Sequence, residues 1–244
     1  MASRLGSGAR DDARRGVSHV FFDAGGTLLA PSPGPAEIFR QALARKGHVV
    51  EREVISKALH SPDLIVTLIR PLTASLEPEF FRSVNARLLE HLGLRADDAA
   101  LDEIHAAFER DVVYHSFPEA IHTLRGLKAA GYRTGVISNF SHRLPLVLKE
   151  AGLVPYLDTV TYSSEAGAEK PHPKIFRSAL ARAGAAPERV LMVGDSYEAD
   201  YLGARNAGLH ALLLCRDPNR HNPCPSIHSL EELPPMLGAG RSRD

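Results

Sequence analysis

Apolar and β-branched residues concentrate in five short runs, at 17–23, 132–139, 159–164, 190–195 and 210–215. Short runs rich in apolar and β-branched residues suit strands buried in a parallel sheet. Between the last four runs, apolar positions recur at helical spacing over 118–130, 142–151, 173–183 and 198–207, and more weakly over 230–237 after the last. Gly131, Gly152, Gly184 and Gly208 sit where these helices should end, in the position that favours a left-handed residue. The alternation of strand and helix predicts an α/β fold with a Rossmann-like, doubly wound parallel sheet.

The first run stands apart, because residues 24–131 are too many for a loop. Pro31, Pro33, Gly34 and Pro35 punctuate the start of this interval, and helical spacing follows over 36–46, 52–60, 78–91 and 97–114. The pattern predicts a small all-helical module inserted after the first strand. The expected organisation is a tail at 1–16, a core built from 17–32 and 115–244, and a helical insert at 33–114. The tail, MASRLGSGARDDARRG, reads as disordered, and the terminal GAGRSRD as frayed.

Of the 244 residues, 44% are hydrophobic and 24% charged, the composition of an ordinary soluble globular protein. Basic and acidic residues balance at 29 each, which removes the long-range field that a dedicated nucleic-acid or anionic-membrane surface requires. Two cysteines, Cys215 and Cys224, are too few for a disulfide framework and point to a reducing cytoplasm. No run reaches the roughly 18 apolar residues of a membrane span. The N-terminal segment lacks the apolar core of a secretion signal, and Asp11 and Asp12 argue against organelle targeting.

In parallel α/β sheets, ligands sit beyond the carboxyl ends of the strands. There the first strand ends in Asp23-Ala24-Gly25-Gly26-Thr27, the second in Ser138-Asn139, and the fourth in Gly194-Asp195 with Asp200 following; Lys170-Pro171 comes after the third. Carboxylates, a lysine, hydroxyls and a glycine turn together make an anion site with a metal partner. Phosphoryl transfer needs a nucleophile, positive charge and hydrogen-bond donors on the equatorial oxygens. Asp23 can be that nucleophile, forming an acyl-phosphate. Asp23 and Asp195 offer the hard oxygen ligands that Mg²⁺ takes. Lys170 supplies charge, and Thr27 and Ser138 supply donors.

FFDAGGTLL, VISN, EKPHPKIF and VGDSYEAD, in this order and with an insert after the first, resemble the four motifs of the haloacid dehalogenase superfamily of hydrolases. The likeness covers about residues 17 to 237 and is to its phosphatase-like branch with a helical C1-type cap. The resemblance implies Asp23 as nucleophile, Thr27 and Ser138 as binders of the transferring group with Asn139 helping through its backbone, and Lys170 stabilising that group. It also implies Mg²⁺ held by Asp23, Asp195 and the Gly25 carbonyl, with Asp200 orienting Lys170 or the metal shell. The substrate it implies is a small phosphorylated metabolite.

One position departs from the family pattern. Phosphatases of this kind usually carry a second Asp two residues after the nucleophile, as general acid and base, and here that residue is Gly25. General acid–base catalysis is typically worth about 10² to 10⁴ in rate, so a weak or specialised phosphatase is expected. Carbon–halogen hydrolysis is an alternative, but that branch needs no metal, and the intact GDSYEAD argues against it. Carbon–phosphorus cleavage would require a cap lysine, for which only Lys46 and Lys57 are available. A catalytically impaired binding or regulatory protein is the alternative of a different class.

Blander roles compete at several positions. Ser138-Asn139 also suits a helix N-cap, Asp195 and Asp200 a cap and first-turn acid, and Lys170 a solvated lysine. Cys215, Cys224, His221 and His228 match no regular zinc spacing. Leu64, Val66, Phe80, Phe81 and Leu89 fit a helical core better than a pocket lining. Arg70 and Arg82 are the cap cations to watch for substrate contact.

Overall fold

The computed structural model describes residues 16–59, 61 and 78–238. Residues 1–15 of the expected tail, Leu64, Val66, Arg70 and the end of GAGRSRD therefore fall outside the described residues, as do the side chains of Phe80 and Phe81. The chain divides into two compact units, one from Met1–Ala30 with His115–Asp244 and the other Pro31–Tyr114.

The first unit is built on a six-stranded parallel sheet. Its strands are β1 (His19–Phe22), β4 (Arg133–Ser138), β5 (Thr159–Tyr162), β6 (Val190–Gly194), β7 (His210–Leu214) and β8 (Ser226–Ile227), in the order β5-β4-β1-β6-β7-β8. β1 is central, with Val20, Phe21 and Phe22 fully buried, which is why its run shows no polar alternation. Helices α5 (Ala120–Ala129), α6 (Leu144–Glu150), α7 (Ser163–Ala166), α8 (Pro173–Ala183), α9 (Gly203–Asn206) and α10 (Leu233–Met236) connect or flank the strands. Ile175, Phe176 and Ala179 of α8 pack with Phe21, Ile137 and Met192 in one core cluster. Gly131, Gly152, Gly184 and Gly208 all take positive φ, between 62° and 87°. Because β4 and β6 leave β1 on opposite sides, the strand order reverses there, and a crevice opens at the carboxyl end of β1.

The second unit holds α1 (Pro35–Arg45), α2 (Arg52–Leu59), α3 (Pro78–His91) and α4 (Asp98–Asp111). Ile38, Phe39, Leu43, Ile55, Leu88, Leu89 and Ile104 form its own core, so Leu89 is a packing residue. Arg82 pairs with Asp98 at 2.6 Å and with Asp102, which makes it a cross-link between α3 and α4. Lys46 and Lys57 are exposed.

Several expected elements are corrected. The helix expected over 97–114 ends at Asp111: Asp97 is its N-cap, accepting from Ala100 N–H at 2.9 Å, and Val112 is already extended. The β-branched pair Val112-Val113 turns the chain into β3 (Val113–Ser116), which pairs with β2 (Leu29–Ser32) in a small second sheet. β2 was hidden by Pro31, a residue that a two-stranded edge accommodates. The helix expected over 198–207 opens as a wide π-type turn at Tyr197–Leu202 before α9. The segment over 230–237 is likewise shorter, a 3₁₀ turn followed by α10. Among the described residues, no helix is long and apolar enough to cross a membrane.

Candidate active site

Asp23 leaves β1 still in the ladder, its N–H donating to the Val193 carbonyl at 2.9 Å. That bond fixes the side chain at the crevice. Its Oδ1 accepts from Ser138 Oγ at 2.9 Å and from Lys170 Nζ at 2.6 Å. Lys170 also donates to Asp200 Oδ1 at 2.6 Å, and Asp200 Oδ2 accepts from the Ser196 N–H at 3.0 Å. Residues far apart in the chain thus close into one buried network, with Lys170 only 2% exposed. A buried charge is tolerated only when paired in this way.

The blander roles fail at Lys170, Ser138, Asn139 and Asp195, and hold at Asp200 beside a second role. Lys170 is enclosed, not solvated. α6 begins at Leu144 and has Arg143 as its N-cap, so Ser138 and Asn139 cap no helix. The Asn139 side chain instead grips the Lys170 backbone at two points, donating to its carbonyl at 2.9 Å and accepting from its N–H at 2.7 Å. Ser196, not Asp195, caps the wide turn. Asp200 is an acid of the first turn and serves both roles, its Oδ2 accepting from the N–H of Ser196 and its Oδ1 from Lys170.

Two glycines allow this close approach. A Cβ on Gly26, whose φ is +77°, would lie 2.3 Å from Asp195 Oδ2. A Cβ on Gly194 would lie 2.2 Å from the Asp200 carboxylate. Gly25 differs: among the described residues, and its chain neighbours apart, no atom lies within 4 Å of its Cβ position. Thr27 Oγ1 donates to Asp195 Oδ1 at 3.3 Å, so the turn after Asp23 and the end of β6 share one rim.

Asp23, Asp195 and Asp200 each place a carboxylate oxygen within 4.8 Å of the others. When ionised, three carboxylates against one ammonium leave an excess of two negative charges, the charge a divalent cation would neutralise. Both oxygens of Asp200 are taken by Lys170 and Ser196, so Asp23 and Asp195 are the ones free to face the ion. The residues therefore fit Mg²⁺, which prefers hard oxygen donors.

Crowding by protein, together with the negative charges of Asp23 and Asp200, raises the Asp195 carboxyl to about 7, although part of that side chain still meets solvent. Burial lifts Asp200 to about 6, opposed by Lys170. Burial also works against the Lys170 charge, but Asp200 and Asp23 more than offset it and its pKa is raised. Folded Asp195 and Asp200 keep protons that the unfolded chain has released, so in metal-free protein their contribution to stability is lost as pH rises from about 4 to 7. Thermal melts without divalent cation should show Tm falling from about pH 5 to pH 8, and added Mg²⁺ should raise Tm more at the higher pH. A Mg²⁺ increment that shrinks as pH rises would contradict this.

Comparison with known proteins places the site in a family. The model of the haloacid dehalogenase-like hydrolases matches residues 17–208. The chain belongs to this hydrolase family. Glyceraldehyde 3-phosphate phosphatase of Methanothermobacter thermautotrophicus is 31% identical to it over 211 residues, covering 85% of this chain and 79% of the relative. Haloacid dehalogenase-like hydrolase domain-containing protein 3 of Bos taurus is 35% identical over 142 residues, covering 57% of each. This hydrolase thus spans little more than half the length of that relative. In fold it resembles Bacillus subtilis YfnB, whose structure was solved bound to magnesium, with a TM-score of 0.75, 21% identity, and coverage of 91% of this chain and 98% of that one.

Sequence reasoning named the residues of the network but missed three that shape it. Gly26 was legible only as part of a turn, and Gly194 as the end of a strand; neither shows in sequence what its missing side chain makes room for. Arg216, described below, carries no sequence signal, because its partners lie about 100 and 190 positions away.

Proposed function

We propose that this hydrolase cleaves small phosphate monoesters through an aspartyl-phosphate on Asp23. The observation that carries this reading is the Asp23 carboxylate itself, held by Ser138 and Lys170 at the end of the central strand and facing Asp195. A carboxylate oxygen of Asp23 attacks phosphorus, the ester P–O bond breaks, and the phosphoryl group passes to Asp23. Water then cleaves the mixed anhydride, releasing phosphate and restoring the carboxylate. Lys170 offsets charge on the phosphoryl oxygens, with Thr27 and Ser138 donating to them. Asn139 and Asp200 hold Lys170 in place, one through its backbone and the other through its ammonium. Mg²⁺, held by Asp23, Asp195 and the Gly25 carbonyl, would supply the remaining positive charge.

Gly25 sets the character of the reaction. It offers no proton to the leaving oxygen, and no described residue beyond its chain neighbours comes within 4 Å of its Cβ position. Esters whose leaving groups depart as stable anions should be favoured, or substrates that protonate their own leaving group. The same gap supports a second reading, a binding or regulatory protein retaining the site without turnover. Residues 33–114 act in this proposal as the helical cap that chooses the substrate. The archaeal relative named as a phosphatase supports the phosphate-ester class, and two free buried cysteines support a reducing compartment such as the cytoplasm.

The test is hydrolysis of an activated aryl phosphate, whose leaving group needs no acid. Turnover that requires Mg²⁺ supports the proposal. Folded, Mg²⁺-binding protein without turnover favours the binding role.

A further inference from the structure

Arg216 lies just past β7, beside the residues that carry the chain from the first strand, and its guanidinium is committed on every side. Its carbon sits 3.6 Å from the centre of the Phe117 ring, so the plane is stacked. Nη1 pairs with Glu119 Oε1 at 2.5 Å. Nη2 donates to the Thr27 carbonyl at 3.0 Å, and Nε points to the Gly26 carbonyl at 3.4 Å. The Phe117 N–H in turn donates to the Leu28 carbonyl at 2.9 Å, fastening the same turn from the other end.

We propose that Arg216 is a positioning residue for anion binding, fixing the turn that presents Thr27 to the phosphate group. In a trans peptide the C=O and N–H point in opposite directions. With the Gly26 and Thr27 carbonyls turned to Arg216, the N–H groups of Thr27 and Leu28 are directed to the other side, and that of Leu28 accordingly reaches the Ala24 carbonyl at 2.9 Å. The Thr27 hydroxyl, bonded to Asp195, belongs to this clamped turn. Asp23 does not depend on the clamp, since Val193, Ser138 and Lys170 hold it independently. Loss of Arg216 should therefore weaken the hold on phosphate more than it slows the nucleophile. A planar fork is needed to reach two carbonyls and a carboxylate at once, which a lysine ammonium matches only in part.

This inference rests on the reading that phosphate binds beside Asp23, and the experiment separates the two. Wild type, Arg216→Ala, Arg216→Lys and Glu119→Gln would be compared in aryl phosphate hydrolysis, inhibition by inorganic phosphate, and calorimetric binding of inorganic phosphate in the presence of Mg²⁺. Charge-assisted hydrogen bonds of this kind predict KM and the phosphate constants about tenfold or more higher in Arg216→Ala, with kcat changed far less. Arg216→Lys and Glu119→Gln should fall between Arg216→Ala and wild type, and they keep the test alive if the alanine variant does not fold. Unchanged KM and phosphate binding in the variants, or a fall in kcat at constant KM, overturns the role of Arg216 while leaving the hydrolase reading intact. Wild type that binds phosphate without turnover overturns only the hydrolase reading, and the calorimetry still decides on Arg216. Wild type that binds no phosphate overturns both.

Discussion

Asp23→Asn is expected to lower turnover of an activated aryl phosphate by roughly 10⁴ or more while leaving the fold intact, as removal of an essential nucleophile does elsewhere. The amide is the same size as the carboxylate, and its oxygen can still accept from Ser138 and Lys170, the two bonds made by Asp23 Oδ1. Lys170 keeps a carboxylate partner in Asp200, so its buried ammonium is not stranded. What is lost is the anionic oxygen that attacks phosphorus in the proposed reaction. Steady-state rates beside a thermal melt would check this. A folded variant with a rate near that of wild type would remove Asp23 from the chemistry and end the proposal of an aspartyl-phosphate.

Gly25→Asp should act in the opposite direction. If the site is otherwise competent, supplying a carboxyl acid and base at this position is expected to raise kcat/KM on alkyl phosphates by about 10² to 10⁴, with much less gain on aryl phosphates. The substitution is sterically available, because no atom lies within 4 Å of the new Cβ and Gly25 is not among the positive-φ glycines. The neighbouring position offers no such freedom, since a side chain on Gly26 would collide with Asp195. Gly25→Asn is the control, equal in size but unable to transfer the proton. An equal gain from both variants, or none from Gly25→Asp in folded protein that still binds Mg²⁺, would show that the leaving-group proton is not what limits this hydrolase.

Much of the fold was legible in the sequence because its signals are local. A strand buried on both faces declares itself as a short apolar, β-branched-rich run, most clearly in β6 and least in β4, and a helix by its spacing and the glycine that ends it. Elements with weaker local signals were missed or misjudged. β2 carries a proline, β8 has two residues, and α4 gives way at Val112 to a strand that exists only because β2 lies beside it. Strand stability of that kind comes from pairing, which a sequence window does not contain.

The site divides along the same line. The chain order of its motifs, and the rule that ligands gather at the carboxyl ends of parallel strands, were enough to select Asp23, Thr27, Ser138, Asn139, Lys170, Asp195 and Asp200 from the sequence. Only the tertiary structure decided how they act on one another: Lys170 buried between two carboxylates, Asn139 gripping backbone rather than capping a helix, Asp200 bonding Lys170 from the first turn of its helix, and Arg216 bonded to the Thr27 loop from far along the chain. Residue type and order along the chain fix which groups can reach the crevice. Their partners, protonation and orientation depend on atoms brought within a few ångströms by folding, and those distances are properties of the packed molecule alone.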